Sequence, residues 1–205
     1  MVLMSECRDI LVVLAVLFVV ACAISPVLAA IPTVLTAFTL YFFRDPERHP
    51  PVAEGAVLSP ADGTVLGVED VEDDYVGRSR RISIFMSPLN VHVNRSPIDG
   101  IVESVRHTPG RKVAAYLRGD LDARERNRIE ISGGFKVVVE QYAGVIARRI
   151  VCFVSPGMKI SGGERIGIIK FGSRADVIMP LSISVKVAKG AKVAAGESIL
   201  GVSNG

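Results

Sequence analysis

"PGMKISGGERIG", residues 156–167, returns 33 residues later as "KGAKVAAGESILG", residues 189–201, and both fit Gly-x-Lys-(Ile/Val)-x-x-Gly-Glu-x-Ile. A turn-plus-strand unit used twice in one chain is the signature of a pseudo-symmetric β structure. "SPADGTV" at 59–65 reads as a further turn of that kind. Outward from these units, everything after residue 51 consists of short apolar runs punctuated by glycine and proline, among them "RRISIFMS", "NVHVNRS", "NRIEISGGFKVVVEQYAG", "VIARRIVCFVSPG" and "SISVKVAKG". Runs of that length at turn-punctuated spacing are strands. "SGGF" at 132–135 is expected to turn a hairpin between two alternating arms. The exception is 111–128, charge-dense, expected to be partly helical and to be a solvated face.

The repeated turns resemble those of biotinyl and lipoyl carrier domains, which implies a mainly β (α+β) fold: a barrel-sandwich β-domain built of hairpins. The carrier's modified lysine, set at a hairpin tip between small or Met residues, is missing here. The resemblance therefore implies the fold without the carrier role.

Ahead of this domain, residues 10–43 contain no charged side chain. Such a run belongs in a bilayer. As one helix it would be roughly 50 Å long, well beyond a hydrocarbon core of about 30 Å. Pro26 and Pro32 offer a break, so two segments, about 9–24 and 31–43, are expected to form a hydrophobic helical hairpin. The domain division is then 1–45 and 46–205. A cleaved signal peptide is the competing reading, from "ACA" at 21–23 and a lipobox-like "VVAC" ending at Cys22. Against it, Glu6 and Asp9 flank Arg8, and the apolar run resumes beyond the supposed cut. Arg44 and Arg48 after the run favour a cell-membrane protein with its domain on the cytoplasmic side. A net charge of +3, with no basic stripe interleaved with aromatics, suits anionic headgroups and points away from nucleic acid. Cys7, Cys22 and Cys152 offer neither a disulfide framework nor metal-ligand spacing.

"KFGSRADV", residues 170–177, holds the chain's one Gly-Ser dipeptide, Gly172–Ser173. Strand alternation in "NVHVNRSP" groups His92 with Asn94 and places His92 on the polar side of a half-buried strand. Asp62 lies in the "PADG" turn. Taken singly, these have ordinary explanations: a glycine bulge, a satisfied histidine, turn chemistry. Together, a hydroxyl, an imidazole and a carboxylate are the parts that make serine a nucleophile. The electrophile closest to Ser173 is the carbonyl of Gly172, whose missing Cβ leaves the approach open.

In order, "FFRDPER", "SPADG", "NVHVNRSP", "NRIEI", "VEQYAGVIARRI", "GERIGIIKFGSRADVIMP" and "GESIL" resemble the short, membrane-associated form of the phosphatidylserine decarboxylase family, including archaeal relatives acting on archaetidylserine. The resemblance implies self-cleavage between Gly172 and Ser173 into a large fragment, 1–172, and a small one, 173–205. It also implies conversion of Ser173 into a pyruvoyl group that decarboxylates a serine phospholipid through a Schiff base, with no metal and no diffusible cofactor. Asp62 would orient the base. His92 would serve as base in maturation and as proton donor in turnover, because the second histidine of longer relatives is Arg95 here, and an arginine is a poor base. Asn94, Arg95 and Arg78 are candidates for substrate binding, and Arg44, Arg48, Arg78, Arg80 and Arg81 for lipid phosphate. The partners implied are the phospholipid, the membrane, the two fragments of one precursor, and a second copy in a homodimer. Two other readings stay open: a membrane-anchored, non-cleaving, biotinyl-like binding module, and a pyruvoyl decarboxylase of a soluble amino acid.

Overall fold

The computed structural model describes residues 2–110, 125–144, 150–170 and 173–203. The chain divides into two units, Met1–Pro46 and Glu47–Gly205. The first contains helices α1 (Val2–Ile24) and α2 (Ala30–Phe42). The helix starts earlier than the charge-free run suggests, because Glu6, Arg8 and Asp9 are all accommodated in α1. Its stretch Glu6–Ile24 is long and apolar enough to cross a membrane by length and composition. Val12, Val16 and Val19 on it are more than half exposed. At 13 residues, α2 is shorter. Pro32 does not break it, since it stands in the first turn, where no intrahelical partner for an N–H is needed.

The second unit is β-rich. Its largest sheet has eight antiparallel strands in the order β13 (Lys192–Val193), β2 (Gly63–Asp73), β3 (Gly77–Met86), β11 (Ser173–Pro180), β7 (Lys136–Ala143), β6 (Arg126–Ser132), β5 (Gly100–Thr108) and β9 (Lys159–Ile160). Two three-stranded sheets accompany it. One joins β1 (Ala56–Leu58), β14 (Ile199–Ser203) and β12 (Ile183–Val185); the other joins β4 (Val93–Arg95), β10 (Arg165–Ile169) and β8 (Ile150–Cys152). The "SGGF" hairpin is present, with Ser132 opposite Lys136. Of the segment 111–128, residues 111–124 lie outside the described residues, and Arg126–Arg128 belong to β6.

The repeat seen in the sequence is half of a larger pseudo-symmetry. "SPADG" at 59–63 has a counterpart in "SPIDG" at 96–100. Leu58 N–H donates to Pro97 O, and reciprocally Arg95 N–H donates to Pro60 O. Ala195 N–H donates to Asp62 Oδ1, and Gly162 N–H to Asp99 Oδ1, both at 2.7 Å. Each SP-x-DG turn thus receives one copy of the long repeat. Gly163 and Gly196 hold equivalent left-handed positions, φ +80° and +72°, where a side chain would be strained. At Gly63 the constraint is space: a Cβ there would lie 2.1 Å from the Phe85 carbonyl oxygen. Gly63→Ala should therefore lower stability by about 2–3 kcal/mol, read as a fall in the thermal midpoint of the solubilised protein.

Alternation sorts the central strands. Ile82, Ile84 and Met86 on β3, Ala175, Val177 and Met179 on β11, and Val137 and Val139 on β7 fill the apolar core. The opposite face carries charge. Arg128 forks onto Asp73 with two bonds of 2.8 Å and also reaches Glu130 and Glu140, while Arg106 binds Glu130. Burial pushes the Asp73 carboxyl up, but the Arg128 hydrogen bonds and the N–H groups of Val76 and Tyr75 outweigh it and hold it below the ordinary aspartate value. A carboxylate depressed in the fold contributes stability that is present above its unfolded pKa and lost as pH falls through the folded one. Acid melts should accordingly show a loss of stability below about pH 4 that Asp73→Asn reduces.

Candidate active site

The site is organised where the chain passes from β10 to β11. Ile169 ends β10, and Ser173 opens β11 with main-chain partners on both sides, Met86 of β3 and Ala143 of β7. Gly172 lies outside the described residues. From Met86 the chain turns through Ser87–Asn90 and comes back as the His92 segment. Asn90 locks that turn: its Oδ1 accepts from the Ser87 N–H at 2.8 Å and the Ser87 hydroxyl at 2.7 Å. Its carbonyl lies 2.9 Å from His92 Nδ1. A carbonyl can only accept, so Nδ1 carries the proton and Nε2 is the basic nitrogen. The His92 carbonyl accepts from Ile169 N–H at 3.3 Å, four residues before Ser173. One turn and one main-chain bond therefore tie the His92 segment to chain on both sides of the junction.

The expectation that His92 emerges from the polar side of a half-buried strand is corrected. His92 is 0% exposed, and Val91, Val93 and Asn94 are buried with it. β4 is sandwiched rather than surface-lying, so alternation there separates two buried faces.

Asn94 is 0% exposed, donating to Pro60 O at 3.2 Å and accepting from Gln141 Nε2 at 2.8 Å; Gln141 in turn accepts from Asn127 Nδ2 at 2.8 Å. This chain of buried amides links the SPADG turn, β4, β7 and β6. It leaves Asn94 a strut beside the site. Arg95 is also buried, with Nη1 donating to Gly163 O at 2.9 Å. Asp62 sits apart from the imidazole's described bonds. Arg48 Nη2 donates to both its oxygens at 2.9 Å, Ala195 N–H to Oδ1, and Arg48 Nη1 reaches Glu197 at 2.7 Å. Arg78 is not brought to this place: it lies eight residues along β3 from Met86, about 26 Å at strand rise. Of the other arginines, Arg80 binds Asp70, Arg81 approaches Asp176, and Arg44 stacks over Tyr41.

A cavity of about 390 Å³ is lined by Pro50–Glu54, Ala56, Leu58, Pro97–Asp99 and Gly162, and neither His92 nor Asn94 contributes to it. Among the described residues, no group of three or more His, Cys, Asp or Glu is arranged to hold a metal ion.

Comparison with known proteins decides the family. The family model described as phosphatidylserine decarboxylase matches residues 35–201. This chain belongs to the phosphatidylserine decarboxylase family. A phosphatidylserine decarboxylase proenzyme of Desulfotalea psychrophila is 46% identical over 170 residues, covering 81% of this chain and 79% of the relative. That of Chlorobium phaeobacteroides is 41% identical over 181 residues, 87% and 85% respectively. That of Ehrlichia ruminantium is 41% identical over 197 residues, 92% and 87%. The family match begins within α2 and ends within β14, so it takes in chain on both sides of the Gly172–Ser173 dipeptide.

Proposed function

We propose that this chain is the precursor of a decarboxylase that converts a serine phospholipid to its ethanolamine counterpart and CO2, with a prosthetic group made from Ser173. Family membership across residues 35–201, with relatives named proenzymes, carries the reading. The geometry fits a self-made group. Residue 173 heads a central strand flanked by β3 and β7, so the small fragment remains in the sheet when the bond before it is cut.

Maturation begins when the Ser173 hydroxyl adds to the Gly172 carbonyl and its proton passes to His92 Nε2. The C–N bond breaks, leaving an ester and a free amine on residue 173. Loss of the residue 173 α-proton expels the Gly172 carboxylate. Water then replaces nitrogen with oxygen at that carbon and releases ammonia, so one water is consumed overall. The resulting pyruvoyl carbonyl supplies the electron sink that amino-acid decarboxylation needs. His92 then returns a proton to the substrate carbon that has lost CO2. Its tautomer suits the first role, and protonation at Nε2 suits the second. In the precursor Asp62 ties its own turn to Ala195, across the two future fragments, and the accepting position left on its carboxylate serves to orient the imidazole.

The apolar α1 and the arginines after α2 support a place at the membrane, with the β-domain on the cytoplasmic side. A phospholipid headgroup is met at that surface. The deciding experiment is an intact mass spectrum of the purified, denatured protein. A 33-residue fragment, 173–205, about 17 Da lighter than one beginning with serine, is expected. A single full-length mass after prolonged incubation would reject the reading in favour of a non-cleaving binding module.

A further inference from the structure

Beside the scissile junction, Arg174 has a heavily constrained side chain. Its guanidinium is 7% exposed and makes three bonds of 2.7 Å: Nε to Asp176 Oδ1, Nη2 to Asp176 Oδ2, and Nη2 to the Ser83 hydroxyl. Asp176 is completely buried, with Arg81 Nε 3.8 Å from its Oδ2. The Tyr142 ring centroid lies 5.8 Å from the guanidinium carbon. A buried Arg–carboxylate fork is seldom more stabilising than apolar packing of the same volume. Its location, one residue after the bond that breaks, gives it a different use.

We propose that Arg174, held by Asp176 and Ser83, is the positioning residue that keeps the prosthetic group made from residue 173 in register after the chain is cut; this rests on the self-processing reading above. Before cleavage, residue 173 is anchored through the chain on both sides. Afterwards it is a strand end, and strand ends fray. Conversion of its amine to a ketone also removes its N–H, so it can no longer donate to the ladder. Arg174, opposite Phe85 and Tyr142, then supplies the small fragment's first main-chain donor. Its fork grips Asp176 within the small fragment and Ser83 of the large one. β11 is thereby fixed along β3 from the residue next to the reactive carbonyl.

Two variants test this in detergent-solubilised full-length protein. Ser83→Ala removes one hydroxyl, and Arg174→Lys keeps the charge but loses the planar fork. Carbonyl in the denatured small fragment is counted by mass after hydrazine labelling. Turnover of a serine phospholipid in mixed micelles is then expressed per carbonyl. Carbonyl content should be unchanged in Ser83→Ala, with kcat per carbonyl down about fivefold, and about 10- to 100-fold in Arg174→Lys, and with KM within about twofold in both. A lowered thermal midpoint with unchanged kcat per carbonyl would make the fork purely structural and overturn the proposal. If Arg174→Lys does not mature, Ser83→Ala decides alone. Wild-type protein lacking the carbonyl would instead overturn the self-processing reading, a failure seen before any variant is made.

Discussion

Ser173→Ala is expected to yield a single uncut chain of 205 residues with no carbonyl and with activity below about 10⁻⁴ of wild type. The substitution removes one oxygen, but that oxygen is both the nucleophile that opens the Gly172 carbonyl and the leaving group through which the residue becomes a keto acid. No other hydroxyl can substitute, because even if another nucleophile opened the same bond, alanine at 173 has no β-oxygen to eliminate and could not become a keto group. The fold should survive, since Ser173 is held to Met86 and Ala143 by strand pairing that alanine preserves. A thermal midpoint near that of the uncut wild-type precursor, together with absent cleavage and turnover, is the expected result. Decarboxylation persisting in this variant would end the pyruvoyl account, because no carbonyl would remain to accept the electrons.

How much of this was legible follows from where information sits in the chain. The β architecture could be read because its turns repeat: Gly157-x-Lys159 and Gly190-x-Lys192 need the same glycine geometry twice. The second half of the repeat, "SPADG" against "SPIDG", escaped because two five-residue turns are weak evidence until Asp62 and Asp99 are seen accepting equivalent N–H groups. Gly172 and Ser173 were marked by their rarity as a dipeptide. His92 was singled out from its strand context but given the wrong surroundings. A three-residue strand packed on both sides has no polar face, and local alternation cannot reveal the layer that covers it. Asn90 and Gln141 were missed because amides that hold a turn or bridge buried strands look like any polar residue in sequence. Arg48 was considered for lipid phosphate, yet its partners Asp62 and Glu197 lie 14 and 149 residues away, a pairing that only the fold creates.

That pairing also bears on the acid–base assignment. Asp62 is forked by Arg48 and bonded to Ala195, while the Asn90 main-chain carbonyl lies against His92 Nδ1 and helps fix the ring in the precursor. His92→Asn isolates the chemistry, because the shorter side chain retains an N–H for the Asn90 carbonyl while removing the basic nitrogen. Freshly made His92→Asn protein is expected to cleave about 10² to 10³ times more slowly than wild type, followed as the appearance of the 173–205 fragment over time. The fraction that does mature should turn over slowly as well, since the proton donor is gone. Normal cleavage with lost turnover would confine His92 to the second role; normal turnover per carbonyl would confine it to the first. In wild type the two roles demand opposite charge states. Self-cleavage uses the neutral imidazole and should accelerate as pH rises, whereas protonation of the decarboxylated carbon uses the imidazolium and should slow. Opposite pH limbs for maturation and turnover, both abolished in His92→Asn, would place one nitrogen at both steps, and parallel limbs would require two different groups.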